Sequence, residues 1–332
     1  MHQIIENRMD TLQQIRKSLE SEMPDFIQTW DQCMHSDNAL LQEVLNHVSS
    51  RKGKMMRPIL TMLSAKLCGS VNQDTLYSAV ALELMHTATL IHDDVVDESD
   101  ERRGLTSVNK IYDNKIAVLV GDFILALAIE NVSKVQNGRF SGVIAETTQE
   151  LASGELLQQK SVHNQEISED VYFRIIYQKT ASLFAACAKS GALSATTDED
   201  IVKRLSEFGK TIGLCFQIRD DIFDYYSSAE IGKPTGNDMK EGKLTLPVIF
   251  ALQSVNNPEM LRIAKAVKNL SASESEIAQL IEFTKQNGGI EYAENRMFEL
   301  ADDAKALLSV FPDSDIKSAL LLYVDYVASR TL

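Results

Sequence analysis

The chain has 332 residues, with 47 acidic side chains against 33 Lys and Arg and a formal net charge of -14. That balance excludes a binder of nucleic acid, which needs clustered cations against the phosphate backbone. Hydrophobic residues supply 44% of the chain and no Pro-, Gly- or Ser-rich linker divides it, so a single domain over 1–332 with an ample core is expected.

Helical periodicity dominates from end to end, and alternating β-branched runs and hairpin turn pairs are nearly absent, so the predicted class is all-α. The first ten residues, with Glu6, Arg8 and Asp10, lack the basic-then-apolar pattern of a signal segment. Residues 1–50 read as peripheral amphipathic helices, Pro24 marking a bend and Trp30 an apolar anchor. The motifs that carry chemistry fall within 51–250. Gly53-Lys54-Met55-Met56-Arg57-Pro58 comes first and sets two cations, Lys54 and Arg57, ahead of a helix whose first turn Pro58 can occupy. An acidic motif follows, Asp93-Asp94-Val95-Val96-Asp97, preceded by the apolar Ala88-Thr89-Leu90-Ile91 and followed, after one acidic turn, by Arg102-Arg103-Gly104. The apolar run Ile116 to Ile129 is interrupted by Gly121-Asp122 and reads as too short to cross a bilayer. A second acidic motif, Asp220-Asp221-Ile222-Phe223-Asp224, follows Leu214-Cys215-Phe216. The segment Gly232 to Lys243 then carries Lys233, Lys240 and Lys243 and reads as a flexible basic lid. It is not a P-loop, because Asn237 and Leu244 stand where that motif needs Gly and Ser or Thr. Residues 251–332 read as C-terminal helices, with Asn257-Pro258 as a start, Ser273 and Glu276 as a capping box, and Gln286-Asn287-Gly288-Gly289 as a stop.

Two aspartate motifs in matching apolar settings are the informative feature. Acids spaced by one, three and four positions crowd one face of a helix. Like charges so placed need hard divalent cations with oxygen ligands. Arg and Lys beside both motifs suit a site that holds metals with carboxylates and clamps the same phosphates with cations. His92 abuts Asp93 but reads as a packed or hydrogen-bonded histidine, since Mg2+ prefers oxygen. Phe216, Phe223, Tyr225 and Tyr226 read as core or cavity wall, and Met55, Met56, Met62 and Met85 as core fillers. Cys33, Cys68, Cys187 and Cys215 form no Cys-x-x-Cys pair and suit reduced thiols in a cytoplasmic protein.

In order along the chain, Gly-Lys-x-x-Arg-Pro, His86 to Gly104 around the first aspartate motif, Gly121-Asp122, Gly154-Glu155-x-x-Gln158, Lys179-Thr180, Gln217-x-x-Asp-Asp-x-x-Asp224 and Gly232-Lys233 to Lys243 resemble the trans-isoprenyl diphosphate synthases, and most closely their long-chain, octaprenyl-type polyprenyl group. One departure is Arg51-Lys52-Gly53, which replaces the usual doubled glycine before Lys54. The resemblance implies a single-domain bundle of helices around a deep central cavity, of the isoprenoid synthase type. It implies an Mg2+-dependent prenyltransferase that joins isopentenyl diphosphate to an allylic primer such as farnesyl diphosphate. By position it assigns Asp93, Asp94, Asp97, Asp220, Asp221 and Asp224 to metal; Arg102, Lys179, Lys233 and Lys243 to the allylic diphosphate; Lys54, Arg57, His86 and Arg103 to isopentenyl diphosphate; and Thr180 and Gln217 to the reacting carbons. A homodimer and peripheral membrane contact for product release are further implications.

In that family a bulky residue four or five positions before the first Asp stops the growing tail. Here Thr89 and Ala88 are small, Leu84 and Met85 follow a turn lower, and Ile129 is the expected floor. An all-trans product of about C30 to C50, near octaprenyl and destined for quinone side chains, is expected from a tunnel open near its top, along a helix that rises ~5.4 Å per turn. A farnesyl or geranylgeranyl synthase, a terpene cyclase and a non-catalytic partner subunit are the alternatives; the last two are disfavoured by the second acidic motif and by the full set of acids and arginines.

Overall fold

In a computed structural model, residues 11–50, 53–102, 104–163, 167–226 and 235–329 are described. After a short helical stretch over 11–17, the chain forms α1 (Met23–Cys33), α2 (Ala39–Ser49), α3 (Met56–Cys68), α4 (Gln73–Val96), α5 (Asn114–Lys134), α6 (Arg139–His163), α7 (Glu169–Ile176), α8 (Ser182–Ala195), α9 (Glu199–Phe223), α10 (Leu246–Ser254), α11 (Pro258–Lys268), α12 (Glu274–Gln286), α13 (Gly289–Leu307) and α14 (Asp315–Ser329). The all-α expectation holds. Its one departure among the described residues is a hairpin of two short strands, β1 (Glu101–Arg102) and β2 (Leu105–Thr106), turned by Gly104 at φ 70°. Only a residue without Cβ takes that φ at no steric cost.

Helix α8 is the axle. It is built largely from Ala, Ser and Gly, is buried from Ser182 to Leu193 except at Lys189, and packs against α3, α4, α6 and α9. Small side chains let these neighbours approach until backbones touch: a Cβ on Gly191 would lie 2.1 Å from the Thr61 carbonyl oxygen. The largest buried side chains, among them Phe26, Phe140, Phe184, Phe208 and Tyr323, fill the spaces left between helices. Trp30 is buried, as an anchor should be.

Local chemistry sets the helix ends. Asn72 and Thr75 cap each other to start α4, Asn257 accepts from the amides of Glu259 and Met260 ahead of Pro258, and Ser273 and Glu276 form the expected box. Each such cap contributes about 1 kcal/mol. Asn287 and the left-handed Gly288, φ 72°, end α12 at the expected stop.

Helix α5 corrects one expectation. It runs 21 residues, Asn114–Lys134, long and apolar enough by length and composition to cross a membrane, because Gly121-Asp122 does not break it. Ala117, Val120, Gly121, Ile124, Ala128 and Asn131 turn inward against α4 at helical spacing, leaving Val118, Leu119 and Ile129 exposed.

Candidate active site

Both aspartate motifs sit at the C-terminal ends of long helices. Asp93 and Asp94 lie in the last turn of α4 with Asp97 as its C-cap; Asp220 and Asp221 lie in the last turn of α9 with Asp224 as its C-cap. Helix C-termini carry partial negative charge, so each acid there is disfavoured by about 0.3–1 kcal/mol, which a nearby cation reverses. Glu98, at φ 50°, turns the chain out of α4 and towards the hairpin that carries Arg102.

The six acids divide by what holds them. Asp94 is buried and accepts from Arg102 through Nε at 2.8 Å and Nη2 at 2.5 Å. Asp221 is buried and doubly tethered: the Tyr172 hydroxyl donates to Oδ2 at 2.6 Å and Gln217 Nε2 to Oδ1 at 2.8 Å. The Gln217 carbonyl in turn accepts from the Thr180 hydroxyl at 2.7 Å. Asp224 accepts from the backbone amides of Asn237 at 2.9 Å and Asp238 at 3.1 Å, which ties the second motif to the segment after residue 234. Asp93 stands in the field of Lys179, Glu155, Asp97 and Arg102; burial lifts its carboxyl to about 6. Burial also raises Asp94, Asp221 and Asp224. Asp238, half-buried beside Asp221 and Asp224, is pushed far above the carboxylate range, first by desolvation and then by those two acids.

Cations complete the arrangement. Lys243 pairs with Glu241, lines a cleft with Asp221 and Asp238, and lies within electrostatic reach of Asp97 of the first motif. Lys179 pairs with Glu155 at 2.5 Å. That pair gives the Gly154-Glu155 motif its reason: a Cβ on Gly154 would lie 2.7 Å from Gln178 Cβ and 2.9 Å from the Lys179 amide nitrogen, so only glycine lets α6 come this close. Lys179 and Thr180 lie on a π-helical turn, Tyr177–Ala181, between α7 and α8. Lys179, Thr180, Gln217, Asp221, Asp238 and Lys243 line one cleft.

Lys54 and Arg57 flank the start of α3, where Met55 adopts φ 54°. Arg57 Nη1 lies 3.0 Å from His86 Nε2 and its guanidinium covers the Phe184 ring at 4.8 Å, while Lys54 lies 5.6 Å from the centre of the Tyr326 ring. Arg57 and His86 therefore meet. Arg103 and Lys233 lie outside the described residues. Lys240 is exposed and does not line the cleft. His92 is a packing residue: its ring lies against Gly121, with Nε2 3.2 Å from the Val118 carbonyl oxygen.

One expectation is corrected. Ile129 is 58% exposed, one position and so about 100° of helix beyond buried Ala128, and floors no tunnel within this chain. Among the described residues no three His, Cys, Asp or Glu side chains converge to close a metal shell, so the acids would supply only part of it. An all-oxygen donor set of clustered, burial-strained carboxyls still fits Mg2+, which keeps waters and substrate phosphates and takes only one or two carboxylates. Lower on α4, Ala88, Leu84 and Met85 are buried, the Thr89 hydroxyl donates to the His86 carbonyl, and Met85 Sδ accepts from the Thr148 hydroxyl of α6 at 3.3 Å.

Sequence reasoning missed Tyr172 and Asp238. Asp238 left a trace as an acid within the basic segment; Tyr172, 49 positions from its partner, left none.

With this geometry in hand, the profile of the polyprenyl synthetase family matches residues 38–284. The chain belongs to that family. It is therefore a prenyltransferase of the polyprenyl diphosphate synthase class, a family that uses divalent metal. Octaprenyl diphosphate synthase of Haemophilus influenzae is 33% identical over 312 residues, 94% of each chain. A structure described as geranylgeranyl pyrophosphate synthase from Bacteroides thetaiotaomicron is 45% identical with a TM-score of 0.86 over 97% of this chain and 100% of that one. A polyprenyl synthase from Caulobacter crescentus, solved with calcium and isoprenyl diphosphate, matches at 33% identity and a TM-score of 0.90 over 97% and 98% of the two chains.

Proposed function

We propose that this polyprenyl synthetase condenses isopentenyl diphosphate head-to-tail with an allylic primer such as farnesyl diphosphate to give an all-trans product of about C30 to C50, near octaprenyl, along a helix whose face is small for the first ~5.4 Å turn below Asp93. The observation that carries the chemistry is that Lys179 and Lys243 line one cleft with Asp221, within electrostatic reach of Asp93 and Asp97 of the other motif. Asp93, Asp94, Asp97, Asp220, Asp221 and Asp224 are the acids we assign to metal, with Asp94 oriented by Arg102 and Asp221 by Tyr172 and Gln217. Bound Mg2+ would supply Lewis acidity to the leaving diphosphate. Lys179, Lys243, Arg102 and Lys233 take up charge as the allylic carbon–oxygen bond breaks. The oxygens of Thr180 and Gln217 point dipoles at the carbocation. Lys54, Arg57, His86 and Arg103 hold isopentenyl diphosphate while its double bond attacks, and the departing proton goes to the released diphosphate, so no side-chain base is needed.

The length of the product has a second reading. Met85 and Thr148 meet across α4 and α6 one turn below Thr89, which favours an earlier stop near C20, and the 45% identical relative described as a geranylgeranyl synthase supports it. Incubation with labelled isopentenyl diphosphate, farnesyl diphosphate and Mg2+, followed by sizing of the products, decides between them. Products of C30 or longer support the first reading; a C20 limit selects the second; no elongation removes both.

The exposed apolar face of α5, Val118, Leu119 and Ile129, with Leu156 of α6, suits a second copy of the chain, and we assign the homodimer contact there. A cytoplasmic enzyme that touches a membrane only to release product, for a quinone side chain, fits this assignment.

A further inference from the structure

Tyr172 belongs to none of the motifs that define the site, yet its hydroxyl makes a 2.6 Å contact with Asp221, at the centre of the second one. Both residues are 5% exposed. The tyrosine is held on α7 by the turns that lead into the π-helical segment, and its ring packs edge-on against Phe173 with centroids 5.5 Å apart. Burial keeps its hydroxyl protonated well past the usual range, so it acts as a donor. Gln217 holds the other oxygen of the same carboxylate at 2.8 Å and is itself held by Thr180. A carboxylate tethered at both oxygens cannot turn about its terminal bond. Its orientation is set before anything binds, which is what preorganised electrostatics requires.

We propose that Tyr172 is a positioning residue for the diphosphate transfer: together with Gln217 it fixes the plane of Asp221, so that the second aspartate motif presents a preset anionic face to an incoming metal–diphosphate. This rests on the reading of Asp220 to Asp224 as a metal-binding motif. A merely structural role, the satisfaction of one buried acid, predicts a loss of thermal stability and nothing else.

The experiment compares the full-length wild type with Tyr172→Phe, Tyr172→His and Asp221→Asn, measuring calorimetric binding of inorganic pyrophosphate in the presence of Mg2+, the Mg2+ concentration for half-maximal turnover, and the KM for isopentenyl diphosphate. Loss of one hydrogen bond to a charged group weakens binding by about tenfold to a hundredfold. Tyr172→Phe is therefore expected to weaken Mg2+-dependent pyrophosphate binding and to raise the Mg2+ requirement by a factor in that range, with the KM for isopentenyl diphosphate unchanged. Combining it with Asp221→Asn is expected to add no further loss, because the tyrosine acts only through that acid. Tyr172→His keeps a donor but not the shape, and is expected to bind pyrophosphate more tightly than Tyr172→Phe. The reverse order would assign residue 172 to packing and overturn the proposal, and it can be judged against Asp221→Asn even if one variant does not fold. Wild-type pyrophosphate binding in Tyr172→Phe alongside weakened binding in Asp221→Asn overturns the proposal and leaves the metal motif standing. Wild-type binding in both removes the motif reading as well.

Discussion

Lys179 is held by Glu155; burial works to raise that carboxyl, and Lys179 beside it draws it below its ordinary range. A lysine anchored at one side of a cleft moves little when a diphosphate arrives, so its loss is felt in the binding of that substrate. Lys179→Ala and Lys233→Ala are expected chiefly to raise the KM for the allylic diphosphate, and Arg57→Ala, which pairs with His86, that for isopentenyl diphosphate. Steady-state kinetics with each substrate varied in turn checks this; equal effects on both substrates from every variant would dissolve the two-site assignment. Asp93→Ala or Asp220→Ala removes charge at the transition state and is expected to lower kcat by at least about two orders of magnitude. Circular dichroism should show an unchanged helix content, since taking one acid from a crowded helix C-terminus relieves repulsion.

At the scale of elements, α5 comes closest to the His92 ring of α4 at one glycine. A Cβ at Gly121 would lie 2.2 Å from His92 Nε2, well inside contact distance. Gly121→Ala is expected to cost about 1–3 kcal/mol, the usual range for overpacking, and His92→Ala in the same chain to recover much of it. Chemical denaturation of the two variants and their combination measures the coupling; additive losses would show that the ring and the glycine do not share a constraint. The same helix α4 carries the length of the product. Ala88→Phe places a ring at a fully buried position five residues before Asp93 and is expected to shorten the product to about C15 to C20 by overfilling the space below the site. An unchanged product distribution would mean that the tail does not pass this face.

For the whole molecule, the buried acids couple fold to pH. Burial raises Asp93 to about 6 and also lifts Asp94, Asp221 and Asp224, so the folded chain binds protons that the unfolded chain has already released. Stability from these groups is complete below the unfolded carboxylate range and is lost as pH rises through the folded values. The metal-free protein is thus expected to melt at lower temperature at about pH 8 than at about pH 5.5, and the stabilisation conferred by Mg2+ to grow over the same interval. A melting temperature that rises with pH in the presence of a chelator would contradict the burial of these acids.

Much of this molecule was legible beforehand because it depends on short-range pattern. Asn257, Ser273 and Gly288 act within a turn of where they stand, and the aspartate motifs announce their own chemistry. What escaped depends on contacts between distant segments. Tyr172 finds Asp221 only once α7 and α9 are packed, and Lys179 finds Glu155 only across α6. The outward position of Ile129 is not written in an apolar run, which does not say which face turns inward; the phase follows the stripe Ala117, Val120, Gly121, Ile124 and Ala128.

The π-helical turn at Tyr177–Ala181 makes the enzyme sensitive to length in a way it is not sensitive to side-chain identity. A π turn is an α turn with one residue inserted. Removing one residue there would let the backbone close into ordinary α-helix with its hydrogen bonds intact, while rotating everything before the cut by about 100° relative to everything after it. Tyr172 and the wall of the cleft would then swing away from Asp221 while α8 stayed in register with its neighbours. Variation among working descendants of this sequence should therefore run through substitutions in this turn and avoid single-residue deletions, a bias that a deletion scan across residues 170–190 would expose as a sharp minimum in activity.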